Sequence, residues 1–155
     1  MEAIIAIFLI TVGIVGTYTL ITQTISSAAY SKDRLIAAYL AQEGIEIVRN
    51  IRDTNWLQGK SWDEGLHCSY EVQYSDYFVH MLPCWPCDYD DLRLLKIDGG
   101  FYNYDSGDDT IFKRVIILDF GPVADSWIYK VVVFWKEGGK IYKVEAQEIL
   151  YNWKI

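Results

Sequence analysis

Among the side chains that could do redox or metal chemistry, the thiols come first. Cys84-Trp85-Pro86-Cys87 is a C-x-x-C with an internal proline, and Cys68 is the third cysteine. This spacing suits a redox dithiol or a pair of metal ligands. A redox dithiol of the thioredoxin kind sits between a strand and a helix start, and no such context surrounds Cys84. A structural zinc site needs four ligands; Cys68, His67 and His80 complete one only on paper. A c-type haem requires His directly after the second cysteine, and Asp88 stands there. The preferred reading is a structural disulfide with one cysteine left over. A Cys84–Cys87 bridge closes too small a loop to hold a domain together. The expected pair is therefore Cys68 with Cys84 or Cys87, worth about 2–4 kcal/mol.

The carboxylates make a weaker case. Asp98, Asp105, Asp108 and Asp109 surround Gly99, Gly100 and Gly107, and Asp88, Asp90 and Asp91 form a second group. Calcium loops use carboxylates and carbonyls, but the EF-hand spacing and its closing bidentate Glu are missing. Both groups read as solvated acidic turns. No nucleophile elbow, phosphate-cradling glycine loop or His-centred triad is present. The expectation is no enzyme, no cofactor and no metal. The formal net charge of −7 comes with Lys and Arg spread singly among acids. Phosphate backbones need basic clusters, so nucleic acid is not an expected partner.

The elements that must carry these residues divide sharply. Residues 3–21 form an apolar run with no charge, preceded by Glu2 and followed by no charge until Lys32. As a helix the run spans roughly 28 Å, about the thickness of a bilayer core. It lacks a basic leader region and an A-x-A-like cleavage site, so it reads as a retained membrane segment or a buried assembly helix. Gly13 and Gly16 within it allow close helix approach.

From Lys32 the period changes. Ile36, Leu40, Ile47 and Ile51 fall on one helical face, with Ala37, Gly44 and Val48 beside them. That is the pattern of an amphipathic helix covering a core. Gln42, Glu46, Arg49 and Asp53 fall away from it. Ile45 lies off the stripe, which makes it a candidate contact to a neighbouring subunit. The expected organisation is residues 1–29 as the apolar half of one long helix, residues 30–55 as its amphipathic half, and residues 56–155 as a sheet domain.

Strand signals fill that domain. Residues 68–74, 111–120, 127–136 and 141–153 read as strands, and Glu137-Gly138-Gly139-Lys140 reads as a two-residue hairpin turn. Residues 78–109 read as a loop-rich insertion with one strand near residues 92–97. The 12 Tyr and 6 Trp fit half-buried strands, with some left for subunit contacts. The fold class predicted is α+β: a long N-terminal helix spine packed on an antiparallel sheet.

Several stretches resemble the type IV pilins and the related pseudopilins of type II secretion. Met1-Glu2-Ala3-Ile4-Ile5-Ala6 is similar to the end of the family's N-terminal motif, with Glu2 as the family glutamate. Ala41-Gln42-Glu43-Gly44-Ile45-Glu46 with Arg49-Asn50-Ile51-Arg52-Asp53 resembles the second-half helix of minor-pilin-like proteins. Gly100-Phe101-Tyr102-Asn103-Tyr104, Phe112-Lys113-Arg114 and Tyr151-Asn152-Trp153 are similar to that group as well.

The resemblance implies a structural subunit of a surface filament, held in the cytoplasmic membrane before assembly and extracellular afterwards. Its partners would be other pilin subunits. The filament core would be built from helix residues such as Ile4, Ile7, Phe8, Gly13, Gly16 and Ile21. Glu2 would pair with the N-terminal amine of an adjacent subunit, so that a misdocked neighbour leaves a carboxylate unpaired among apolar groups. The rival role for Glu2 is a place at the membrane interface near a chain end. The rival functions are a membrane-anchored extracellular binding domain that does not polymerise, and a pseudopilin.

Overall fold

A single unbroken helix, α1 (Glu2–Leu57, 56 residues), opens the chain. The computed structural model describes residues 1–66, 69–74 and 89–153, and the backbone of residues 80–81. The chain divides into two compact units, Met1–Arg34 and Leu35–Ile155. The first unit is helix alone. The second holds the rest of α1 and all the strands, and its fold is α+β.

The strands of the second unit form two sheets. After α1 come β1 (Tyr70–Glu71), β2 (His80–Met81), a 3-10 turn at Tyr89–Asp91, β3 (Lys96–Asp98), β4 (Phe101–Asn103), β5 (Asp108–Asp109), β6 (Phe112–Phe120), β7 (Ser126–Glu137) and β8 (Lys140–Tyr151). The main sheet is antiparallel with order β2-β1-β6-β7-β8, and the small one has order β4-β3-β5. The three long strands match the β-branched and aromatic runs expected for them. Gly138 and Gly139 both take positive φ, 56° and 79°. That is the turn geometry that lets two residues join twisted strands, and Glu137 pairs with Lys140 across it.

Helix and sheet meet where side chains are smallest. Ala37, Leu40, Ala41, Gly44, Val48 and Ile51 are buried. A Cβ added to Gly44 would stand 2.7 Å from a Val131 methyl. Glycine there lets the helix backbone sit directly on β7. Ile45 is buried as well, at 9% exposure. This corrects its reading as an off-stripe residue free to touch a neighbour. The buried arc, from Ile47 through Leu40 and Val48 to Ile45, spans roughly 160° at 100° per residue. A helix lying on a twisted sheet buries its flanks as well as its central stripe.

The opposite face of the main sheet has its own cover. Leu92 packs with Val115, Ile117 and Val132, and Phe134 lies against them. The Lys113 ammonium donates to the Tyr89 carbonyl at 2.9 Å and sits 4.2 Å from the centre of its ring. Residues 89–92 of the expected insertion therefore lie as a layer over the sheet, while β3, β4 and β5 form the small sheet where one strand was expected. This explains why β6 is buried on both faces from Phe112 to Ile117.

Arg114 and Glu71 are the charged groups held between these layers, and each has partners. Arg114, at 0% exposure, donates from Nη1 to the Leu40 carbonyl at 3.0 Å and from Nη2 to the Val72 carbonyl at 2.7 Å. Glu43 lies 3.5 Å from Nη1 and balances the charge. The buried Glu71 accepts from the Arg93 backbone N–H at 2.8 Å and from its Nε at 2.7 Å. Burial pushes the Tyr104 and Tyr129 phenols well above their ordinary value of 10, with the Arg114 charge partly offsetting the effect at Tyr104.

The sign of the resulting pH dependence follows from proton counts. Above pH 10 the unfolded chain loses these protons while the folded chain keeps them, so stability is full below pH 10 and falls as pH rises above it. In an alkaline titration, tyrosinate absorbance from these two residues is expected to appear together with loss of β-sheet circular dichroism. Tyr104→Phe should shift that loss to higher pH. Ionisation of both phenols with the sheet intact would contradict the burial argument.

Candidate functional site

The first unit is the part of the molecule least explained by its own packing. Ile4, Ile5, Ile7, Phe8, Leu9, Ile10, Val12, Ile14, Val15, Leu20 and Ile21 are all exposed. They surround the helix, so no polar face is left over. A helix apolar all round belongs in lipid or among other helices. By length and composition α1 is able to cross a membrane. A signal sequence passes the same test, so membrane anchoring or a signal is what this segment supports.

Its hydroxyls fit the same solvent. Thr11 donates to the Ile7 carbonyl at 2.7 Å, Thr17 to Gly13 at 2.8 Å, Thr19 to Val15 at 3.0 Å and Thr24 to Leu20 at 2.8 Å. Thr22 does so three residues back, to Thr19 at 2.9 Å. In hydrocarbon each unpaired polar group costs several kcal/mol. These groups bring their own acceptors. The apolar run alone does not show how its threonines are satisfied; their position inside a continuous helix does.

The named filament-core residues sit as follows. Ile4, Ile7, Phe8 and Ile21 are exposed, and a Cβ on Gly13 or Gly16 would meet nothing within 4 Å. Gly13, Ile14, Thr17, Tyr18 and Ile21 line one shallow groove along the helix. Glu2 is exposed in the first turn, where the helix N-terminus carries partial positive charge.

The other candidates separate. Cys68, Cys84 and Cys87, the expected disulfide set, lie outside the described residues, as does His67. His80 is placed only by its backbone, in β2. The acidic loop is built as a hairpin. Asp108 and Asp109 form β5, paired with Ile97 and Lys96. Asp98 accepts from the Ser106 hydroxyl at 2.7 Å, and Asp105 accepts from Gln73 at 2.6 Å. Among the described residues no three His, Cys, Asp or Glu side chains are grouped to hold a metal.

The second unit also presents an open sheet edge and exposed aromatics. β8 pairs with β7 along its whole length and, among the described residues, with nothing on its other side. Phe101, Phe120 and Trp153 are exposed. Trp153 meets Trp56 edge-on at 4.8 Å, and the Arg52 guanidinium stacks on Trp56 at 4.8 Å. No protein-family model, curated protein or solved structure matches the chain, and its functional reading rests on the geometry of its own residues.

Proposed function

We propose that the chain is a structural subunit of a type IV pilus-like surface filament. It is held in the membrane by its N-terminal helix and is polymerised through that helix, with the sheet domain outward. The observation that carries this is one unbroken helix made for two solvents. Residues 3–21 expose apolar side chains all round, and its later turns are buried on an antiparallel sheet. A filament core offers the first part a permanent replacement for lipid, by van der Waals packing between helices. The partners are other subunits of the same kind. No catalytic step is assigned to it.

Glu2 is the register residue in this reading. A carboxylate carried into a helix core is costly unless paired, and a neighbour's N-terminal amine is the natural partner. Glu2→Ala is expected to insert in membranes at least as well as the parent, yet to enter filaments on the order of tenfold less. The measurement is quantitative mass spectrometry of sheared surface filaments against the membrane fraction, with negative-stain microscopy of the same material. Equal incorporation would leave Glu2 as a helix-end carboxylate only. Chains found in the membrane but never in filaments would favour a non-polymerising anchored domain, and confinement to short periplasmic assemblies would favour a pseudopilin.

A further inference from the structure

We infer that the β8 edge is a self-pairing surface, on which β8 of a second copy of this chain docks antiparallel about a twofold axis at Val144. This stands apart from the filament reading, since it uses no residue of the N-terminal helix.

The edge is long and regular. β8 runs twelve residues from Lys140 to Tyr151 in continuous register with β7, with no proline and no bulge. The Glu137–Lys140 pair closes a two-residue hairpin, so its backbone groups bond each other. Bonded and non-bonded pairs alternate along an antiparallel ladder. The amides and carbonyls of Lys140, Tyr142, Val144 and Ala146 therefore turn toward β7. Those of Ile141, Lys143, Glu145 and Gln147 turn outward and are unpaired within the described sheet. Such rows template strand addition unless they are blunted.

The charges select both the occupant and the register. With Val144 opposite its own copy, Lys143 faces the copy's Glu145 and Lys140 faces the copy's Glu148. Ile141 and Gln147 face each other, and every odd-numbered pair is a backbone-bonded pair. Shifting the register by two residues places Lys143 against Lys143 or Glu145 against Glu145. Opposed unlike charges stabilise an antiparallel pair and like ones oppose it. Within one chain Lys143 and Glu145 already touch at 2.7 Å on the exposed face. They are thus aligned as a two-charge unit that a reversed copy complements.

The pairing also sets a direction. The Leu40 carbonyl meets Arg114, whose register leads through Val133 to Val144; Arg49 binds Glu148; and Trp56 meets Trp153. Residues 35–57 of α1 therefore advance along β8 in its own direction. In the twofold pair these segments run antiparallel on the same face of the continuous sheet.

The test uses the full chain in detergent, labelled with a fluorescence donor or acceptor. Lys143→Glu and Glu145→Lys each place like charges across the twofold. Either variant alone is expected to self-associate about tenfold more weakly than the parent. Mixing the two restores every opposed pair, so donor-labelled Lys143→Glu with acceptor-labelled Glu145→Lys should recover parental energy transfer. Any association through the apolar helix is common to all samples and cancels. An effect that came only from the lost contact within one chain would not be rescued by mixing. Energy transfer in the mixture no stronger than in either variant alone overturns the self-pairing, as does a parent indifferent to both substitutions.

Discussion

A chain beginning at Ala28 is expected to be soluble without detergent, to leave the membrane fraction entirely, and to be absent from filaments. The residues removed carry the exposed isoleucines, leucines and valines of the first unit, and none of them is buried. Keeping such a side chain out of water is worth about 1.5–3 kcal/mol. Summed over the segment, this outweighs the affinity of a single sheet-domain surface for lipid. The sheet domain loses no core contact, because its buried helical residues begin at Ala37. Its thermal midpoint should therefore stay within a few degrees of that of the full chain in detergent. Phase partitioning in a clouding detergent reads the first outcome, and near-ultraviolet circular dichroism on heating reads the second. A truncated chain that still sediments with membranes or still forms filaments would show that the helix is not the assembly element.

The second large effect belongs to Arg114. Replacing it with Met keeps the length and apolar stem but removes both donors. The Val72 carbonyl loses its 2.7 Å bond, the Leu40 carbonyl its 3.0 Å bond, and the one-third-exposed Glu43 its counter-charge. Removing one member of a buried polar set leaves the others desolvated and unpaired, at about 3 kcal/mol. For a unit of this size the thermal midpoint should fall by roughly 10 °C. Arg114→Lys should fall between the two, since one ammonium cannot span both carbonyls as a guanidinium fork does. Urea midpoints of the three proteins at equal m-value measure this. An Arg114→Met midpoint at or above the parent's would mean that the buried guanidinium, whose Nε has no partner among the described residues, costs more than its two bonds return.

Arg114 also shows where sequence reading stops. Within Phe112-Lys113-Arg114 it looks like one of two adjacent strand cations, one of which should be solvated. Both are buried, because each face of β6 has a cover: α1 on one side, and Tyr89 with Leu92 on the other. The second cover comes from an irregular segment with no period to read. The helix and the long strands were legible because each satisfies one local rule over many residues, and the Gly138-Gly139 turn because its positive φ demands those residues. Ile45 was misplaced because a 3.6-residue period locates the centre of a buried stripe but not its width, which the sheet decides. The exposed run of residues 3–21 was legible as apolar, whereas what surrounds it depends on other molecules.

The threonines of that run have a mechanical consequence. Because Thr11, Thr17 and Thr19 donate within their own helix, their hydroxyl protons are already committed before a neighbour arrives. Two such rods lying side by side would be joined mainly by dispersion, which is weak per atom and nearly indifferent to small axial shifts. Under tension they would creep past one another without a hydrogen bond to rupture, and the contact re-forms at each new offset. On the filament reading, a bundle of them would stretch before it breaks, with the carboxylate at Glu2 as the charged stop within residues 2–21.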